Sequence, residues 1–70
     1  MQVEINGERR EIEEHSTLKE LVERLSLAPE RLAIELNHTV VRRADWGHTT
    51  LHEGDHIEIV HFVGGGSEKG

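Results

Sequence analysis

The chain predicts an α+β fold, one helix packed on a mixed sheet of four to five strands. Three observations carry this. An alternating segment at residues 2–6 ends in Asn6-Gly7, the strongest short signal for a hairpin. A single apolar stripe, Leu18, Leu21, Val22 and Leu25, recurs at helical spacing. Two further apolar runs, at 32–37 and 56–62, have strand length and strand composition. Seventy residues make one small domain, and 19 of them are Leu, Ile, Val or Phe, enough for a modest core.

In chain order, Val3 and Ile5 face one way as in a half-buried strand, and a return strand is expected at about 9–13 with Arg10 and Ile12 on one face. Thr17-Leu18-Lys19-Glu20 fits a capping box that starts the helix, and Glu20 and Arg24 are spaced as a helical pair. Ala28-Pro29 is expected to end the helix, because the residue before proline disfavours helical geometry. Residues 32–37 read as an interior strand shielded on both faces, with Val40-Val41 continuing it after a turn at Asn37-His38. Residues 43–47 suggest one helical turn closed by Gly47, 49–51 a weak strand, and 53–55 a turn before the last strand.

Composition narrows the function classes. The net charge is −6, with one Trp, one Phe and no Tyr, which disfavours nucleic acid as a partner by charge and by stacking. No apolar run approaches the roughly 20 residues that span a bilayer. The start, Met1-Gln2-Val3-Glu4, does not resemble a signal peptide, so no membrane partner is expected and the cytoplasm is the expected location. There is no cysteine, which excludes disulfides and thiol redox chemistry. So small a core leaves little room for a concave pocket, and a carrier or binding module is expected rather than an enzyme.

The C-terminus is the most unusual stretch. Gly64-Gly65-Gly66 directly follows the strong strand 56–62. Glycines without Cβ atoms suit a thin arm that enters a narrow channel, and they equally suit a plain flexible linker. The expected organisation is a domain over 1–63 and a flexible arm and tail over 64–70. If Ile57 and Ile59 face the core, Val60 and Phe62 lie on the opposite face. That face is either an open apolar patch beside the arm or is covered by the 40–47 segment.

Five sets of residues carry a resemblance. Four are Asn6-Gly7-Glu8, Thr17-Leu18-Lys19-Glu20-Leu21, the run from Leu27 to Asn37, and Val41 with Trp46. The fifth is the long string from Glu53 to Gly66. Over residues 1–66 the chain resembles the ThiS family of sulfur carriers, relatives of MoaD and, in structure, of ubiquitin. The resemblance implies a β-grasp fold. It further implies that the Gly66 carboxylate is adenylated by a ThiF-like enzyme and becomes a thiocarboxylate. Its sulfur would come from a cysteine desulfurase route and pass to a ThiG-like thiazole synthase for thiamin. No resident cofactor is implied, since ATP is a substrate of the activating partner. Val60, Phe62 and Val63 are the expected partner-binding residues, with Gly64 and Gly65 as the arm. The open alternatives are a carrier for another pathway, such as molybdopterin, a ubiquitin-like interaction module that never modifies Gly66, and a ubiquitin-like modifier attached to lysines.

Residues Ser67 to Gly70 depart from the family pattern, because Gly66 has no free carboxylate while they are attached. Removal by a protease, an added remnant, or loss of the carrier role would each account for them. Of the remaining features, His48, His52 and His56 fall at i, i+4 and i+8, but the turn and strand residues between them speak for scattered surface histidines and no metal site. Trp46 is expected to be a packing anchor. Glu11, Glu13 and Glu14 form a solvated acidic edge that would steer the chain towards a basic surface.

Overall fold

The computed structural model describes residues 1–62. Its strands are β1 (Gln2–Ile5), β2 (Glu8–Glu11), β3 (Leu32–Leu36), β4 (Thr39–Val41) and β5 (His56–His61). They form one sheet in the order β2-β1-β5-β3-β4, and one helix, α1 (Leu18–Arg24), packs on it. β1 and β5 run parallel, and the other pairings are antiparallel. This is the mixed sheet with one main helix that the sequence predicts.

Both hairpin turns arise from residues that tolerate left-handed backbone. Asn6 and Gly7 have φ of 51° and 83°, and Asn37 and His38 have φ of 52° and 71°. Two consecutive positive φ values match the right-handed twist of the flanking strands. β2 ends at Glu11, short of the expected 13, and all four of its residues are exposed. Its sequence, Glu-Arg-Arg-Glu, makes a charged sheet edge that discourages further pairing. Ile12 lies beyond the strand and packs against the core from there.

Thr17 caps α1 as expected: its hydroxyl accepts from the Glu20 amide at 3.2 Å, and the Glu20 carboxylate accepts from the Thr17 amide at 3.0 Å. That use of Glu20 explains why Arg24 pairs elsewhere, with Glu13 at 2.9 Å. The helix stops earlier than the proline requires. Leu25 is its C-cap and Ser26 turns left-handed, with φ of 58°. Pro29 instead opens a short 3₁₀ turn, Pro29–Arg31, where its missing N–H is no loss.

β3 is hydrogen-bonded on both edges, but only one of its faces is covered. Leu32 and Ile34 are buried, whereas Glu35 on the other face is exposed, so the expected double shielding does not hold. A second 3₁₀ turn, Arg43–His48, lies against the helix side, and Gly47 sits inside it rather than closing it. Trp46 is its anchor: the ring is 3% exposed and its Nε1–H donates to the Val41 carbonyl at 2.9 Å. Residues 49–51 make a single bridge, Thr17 to Thr50, instead of a strand. Leu51 still reaches the core, held by its amide on the Ser16 carbonyl at 2.8 Å. The core itself is Val3, Ile5, Leu18, Leu21, Val22, Leu32, Ile34, Trp46, Leu51 and Ile57, all between the sheet and the helix layer.

Candidate functional site

The site is built around β5, which lies at the centre of the sheet between β1 and β3. Its inward residues follow the expected alternation, with Ile57 buried and Ile59 half-buried. Its outward residues are open: Val60 is 55% exposed and Phe62 is 49% exposed. The 40–47 segment does not cover them, because β4 pairs with β3 at the sheet edge and Trp46 turns to the helix side. Val40, 66% exposed, joins the same outer face, since it stands across from Glu35 and Glu35 stands across from Glu58. Val60 faces Ala33 in the same register. The outer face therefore presents Val40, Val60 and Phe62 to one side of exposed Glu35 and Glu58, with exposed His56 on the other side of Glu58.

β5 is held on both sides, on the β3 side up to Phe62 and on the other side up to Ile59. On the β3 side the pairing runs from Leu36–Ile57 to Leu32–His61, and the Phe62 amide donates to the Arg31 carbonyl at 2.8 Å. On the other side β1 pairs only through Ile5–Ile57 before the chain turns away. There the Asn6 side chain takes over. Its Oδ1 accepts from the Ile59 amide at 2.7 Å, and its Nδ2 donates to the Ile59 carbonyl at 3.2 Å. Asn37 makes a similar clamp at the start of β5. It accepts from the His56 amide at 2.9 Å and donates to the Asp55 carboxylate at 3.1 Å. Sequence reasoning assigns both asparagines to turns only, and only the fold reveals that their amides also grip β5.

Val63, Gly64, Gly65 and Gly66, the remaining expected site residues, lie outside the described residues. His48, His52 and His56 fall on three different elements, the second 3₁₀ turn, a loop and β5, so their i, i+4, i+8 spacing does not gather them on a helix. Among the described residues no three His, Cys, Asp or Glu side chains are grouped to hold a metal ion, and no helix is long and apolar enough to cross a membrane. A depression of about 440 Å³ lies on the helix side, lined by Lys19, Val22, Pro29, Arg43 and Trp46 among others, away from β5.

The acidic edge before the helix is used within the fold. The Met1 amine donates to the Glu11 carboxylate at 2.9 Å and to the Ile12 carbonyl at 2.8 Å. The hydrogen bond to Glu11 raises the amine pKa above its ordinary value of 8.0, and the same bond lowers the Glu11 pKa below 4.5.

Comparison with known proteins agrees with this fold. The sequence model of the ThiS family matches residues 3–66, a span that includes Gly64, Gly65 and Gly66. A crystal structure of a thiamine biosynthesis protein (ThiS) from Geobacter metallireducens superposes with a TM-score of 0.82 at 33% identity, covering 94% of this chain and 100% of that one. The thiazole synthase of Magnetococcus marinus is 46% identical over 66 residues, and that of Paramagnetospirillum magneticum 33% identical over 69. These matches take in 94% and 99% of this chain, but the chain spans only about a fifth of the two synthases, 20% and 21%. With its mixed five-stranded sheet, its single main helix and a match that runs through Gly66, the chain belongs to the ThiS family of sulfur carriers and has the β-grasp fold.

Proposed function

We propose that this chain carries sulfur for thiamin thiazole synthesis as a thiocarboxylate on Gly66. The observation that carries the reading is that the family match does not stop at the sheet but runs through residue 66. In this reading the chemistry on Gly66 is the work of partners, and the chain itself is the carrier.

In this reading a ThiF-like enzyme directs the Gly66 carboxylate to the α-phosphate of ATP, releasing pyrophosphate and forming an acyl adenylate. Hydrosulfide, released from the persulfide of a cysteine desulfurase route by a thiol reductant that becomes a disulfide, then attacks the acyl carbon and expels AMP. The thiocarboxylate so formed is the sulfur donor to a ThiG-like thiazole synthase, a partnership supported by the resemblance to two thiazole synthases. No cofactor resides on the chain. The role of the folded part is proximity: Val60 and Phe62, with Val63 next in sequence, dock on the partner and present Gly64, Gly65 and Gly66 to its active site. Stretched into a cleft, the three glycines reach about 10 Å. The glycines let a narrow cleft accept them without Cβ clashes.

The step needs a free carboxylate on Gly66, so the form that acts is one ending there, without Ser67 to Gly70. The test is incubation of two forms, one ending at Gly66 and one at Gly70, with a ThiF-type enzyme and ATP. AMP transfer to the Gly66-ended form alone is expected. Equal transfer to both would refute the need for cleavage, and transfer to neither would refute the carrier reading.

A further inference from the structure

β5 has one edge that β1 leaves open. Its residues turn their backbone groups alternately to the two sides. The even-numbered ones bond towards β3: the His56 carbonyl accepts from the Asn37 amide at 2.7 Å, and the Phe62 amide donates to the Arg31 carbonyl at 2.8 Å. The odd-numbered ones face β1. The Asp55 and Ile57 carbonyls accept from the Glu4 and Asn6 amides, each at 2.9 Å, and the amide and carbonyl of Ile59 are both taken by the Asn6 side chain. His61 is the next odd residue. Among the described residues its amide and carbonyl have no partner on that side, because β1 has already turned away at Asn6-Gly7. A strand edge of this kind accepts another extended segment. The space beside it is open as well: a depression of about 470 Å³ lies on the inner side, lined by Ile5, Leu25, Leu27, Ile59 and His61 among others.

We infer that this edge is the docking place of the chain's own Ser67, Glu68 and Lys69 while they remain attached. They follow Phe62 by only a few residues, and between them lies Gly64-Gly65-Gly66. Two glycines suit the tight hairpin turn whose central positions both need positive φ. The hydrogen-bond phase selects Gly64-Gly65 for it. A two-residue turn there bonds Val63 to Gly66, and then His61 to Glu68, because bonded pairs alternate along an antiparallel ladder. His61 and Val63 are odd residues, and His61 is where the open side begins. A turn at Gly65-Gly66 would call instead on Phe62, whose amide is already given to Arg31. In the selected register Ser67 stands across from Phe62, Glu68 from His61 and Lys69 from Val60. The next rung, Ile59, is occupied by Asn6, so the open stretch matches these three residues in length. Charge agrees with the register. Glu68 shares the inner face with His61, and Lys69 shares the outer face with Glu58, one diagonal step away. So docked, the glycines are held in a hairpin and cannot stretch into a cleft, and loss of residues 67–70 releases them. The pairing rests on backbone geometry and goes beyond the sulfur-carrying reading: it applies whatever Gly66 is used for.

The experiment compares the isotope-labelled full chain with a form ending at Gly66, by amide hydrogen exchange and nuclear Overhauser contacts at one pH. In the full chain the His61 amide is expected to exchange about five- to tenfold more slowly than in the shorter form. Phe62 and Ser67 form an unbonded pair, whose backbones come closest, so a contact between their Cα hydrogens is expected in the full chain. The full-length double variant Gly64→Val/Gly65→Val resists positive φ at the turn, and its His61 amide is expected to exchange as fast as in the shorter form. Equal His61 rates in the full and shorter forms overturn the inference. Slowing without the Phe62–Ser67 contact overturns it too, because another segment would then cover the edge. So does slow exchange that survives in the double variant, because the glycine turn would then not be what returns the chain. None of these readouts involves sulfur transfer, so failure of the carrier reading and failure of this inference are told apart.

Discussion

Replacing Asn6 tests how β5 is held where it leaves its neighbour. The Asn6 amide makes two hydrogen bonds to the backbone of Ile59, at 2.7 and 3.2 Å, just beyond the last β1–β5 pair. Each such bond contributes about 0.5–1.5 kcal/mol net, and these are exposed to solvent, so their joint loss should cost about 1–2 kcal/mol. The backbone at Asn6 has φ of 51°, which glycine adopts without strain. Asn6→Gly therefore removes the side-chain bonds and adds only the smaller entropy term of a more flexible unfolded chain. Asn6→Ala removes the same bonds and forces a Cβ into left-handed backbone, at about 1 kcal/mol more. Urea unfolding resolves both, since a small domain with a slope near 1 kcal/mol per molar shifts its midpoint by about 1–2 M for Asn6→Gly. Hydrogen exchange adds a local reading, because the Ile59 amide loses its acceptor in both variants. A glycine variant within about 0.5 kcal/mol of wild type, with Ile59 as protected as before, would refute the view that Asn6 substitutes for the missing strand pairing.

Three further outcomes are expected. Phe62→Asp should change unfolding free energy by no more than about 0.5 kcal/mol, because the ring is already half in water, yet it should weaken binding to the adenylating enzyme in a pull-down or calorimetric assay. Trp46→Phe should cost about 1–3 kcal/mol in thermal or urea unfolding, since it leaves a cavity and deprives the Val41 carbonyl of its 2.9 Å donor. The Met1–Glu11 contact should give a pH signature that Glu11→Gln removes. The amine pKa is raised, so its contribution is complete below pH 8.0 and fades as pH rises through the raised value. The Glu11 pKa is lowered, so its contribution is complete above pH 4.5 and fades as pH falls through the lowered value. Unfolding curves across that range should therefore differ between wild type and variant most in the window between those limits.

Much of this fold is legible in the residues because local chemistry and tertiary packing agree. Asn6-Gly7 and Asn37-His38 predict turns and make them, since asparagine and glycine accept positive φ where the hairpins need it. The capping box at Thr17 and the stripe of Leu18, Leu21 and Val22 place the helix and its buried face. The period of two along β5 correctly exposes Val60 and Phe62. The failures have physical causes of their own. Proline at 29 suggests where a helix must stop, not where it does stop, and Ser26 ends it sooner with a left-handed turn. Residues 49–51 look like a strand by composition, but their backbone is spent on one bridge to the helix cap, so no ladder forms. The lack of charge in most of 32–37 suggests cover on both faces, whereas only the helix side is covered.

The site was partly readable for a related reason. Alternation within a single strand reveals which side chains point outward, so Val60 and Phe62 could be chosen from residues 56–62 alone. Cross-strand neighbours need a register, and register is a property of the folded sheet. Val40, Glu35 and Glu58 are far apart in sequence and become one surface only through β3–β4 and β3–β5 pairing. The Asn6 clamp on Ile59 spans 53 residues of sequence and leaves no local pattern beyond the turn itself. The glycines needed no fold to be noticed, since three in a row after a strong strand stand out in the sequence.

The claim on which the rest depends is that Gly66 becomes a thiocarboxylate. Intact-mass measurement of the untagged protein from its native cells tests it most directly. The account predicts a species ending at Gly66 with one carboxylate oxygen replaced by sulfur. A chain that retains residues beyond Gly66 and carries no sulfur, under conditions where thiamin is being made, would contradict it.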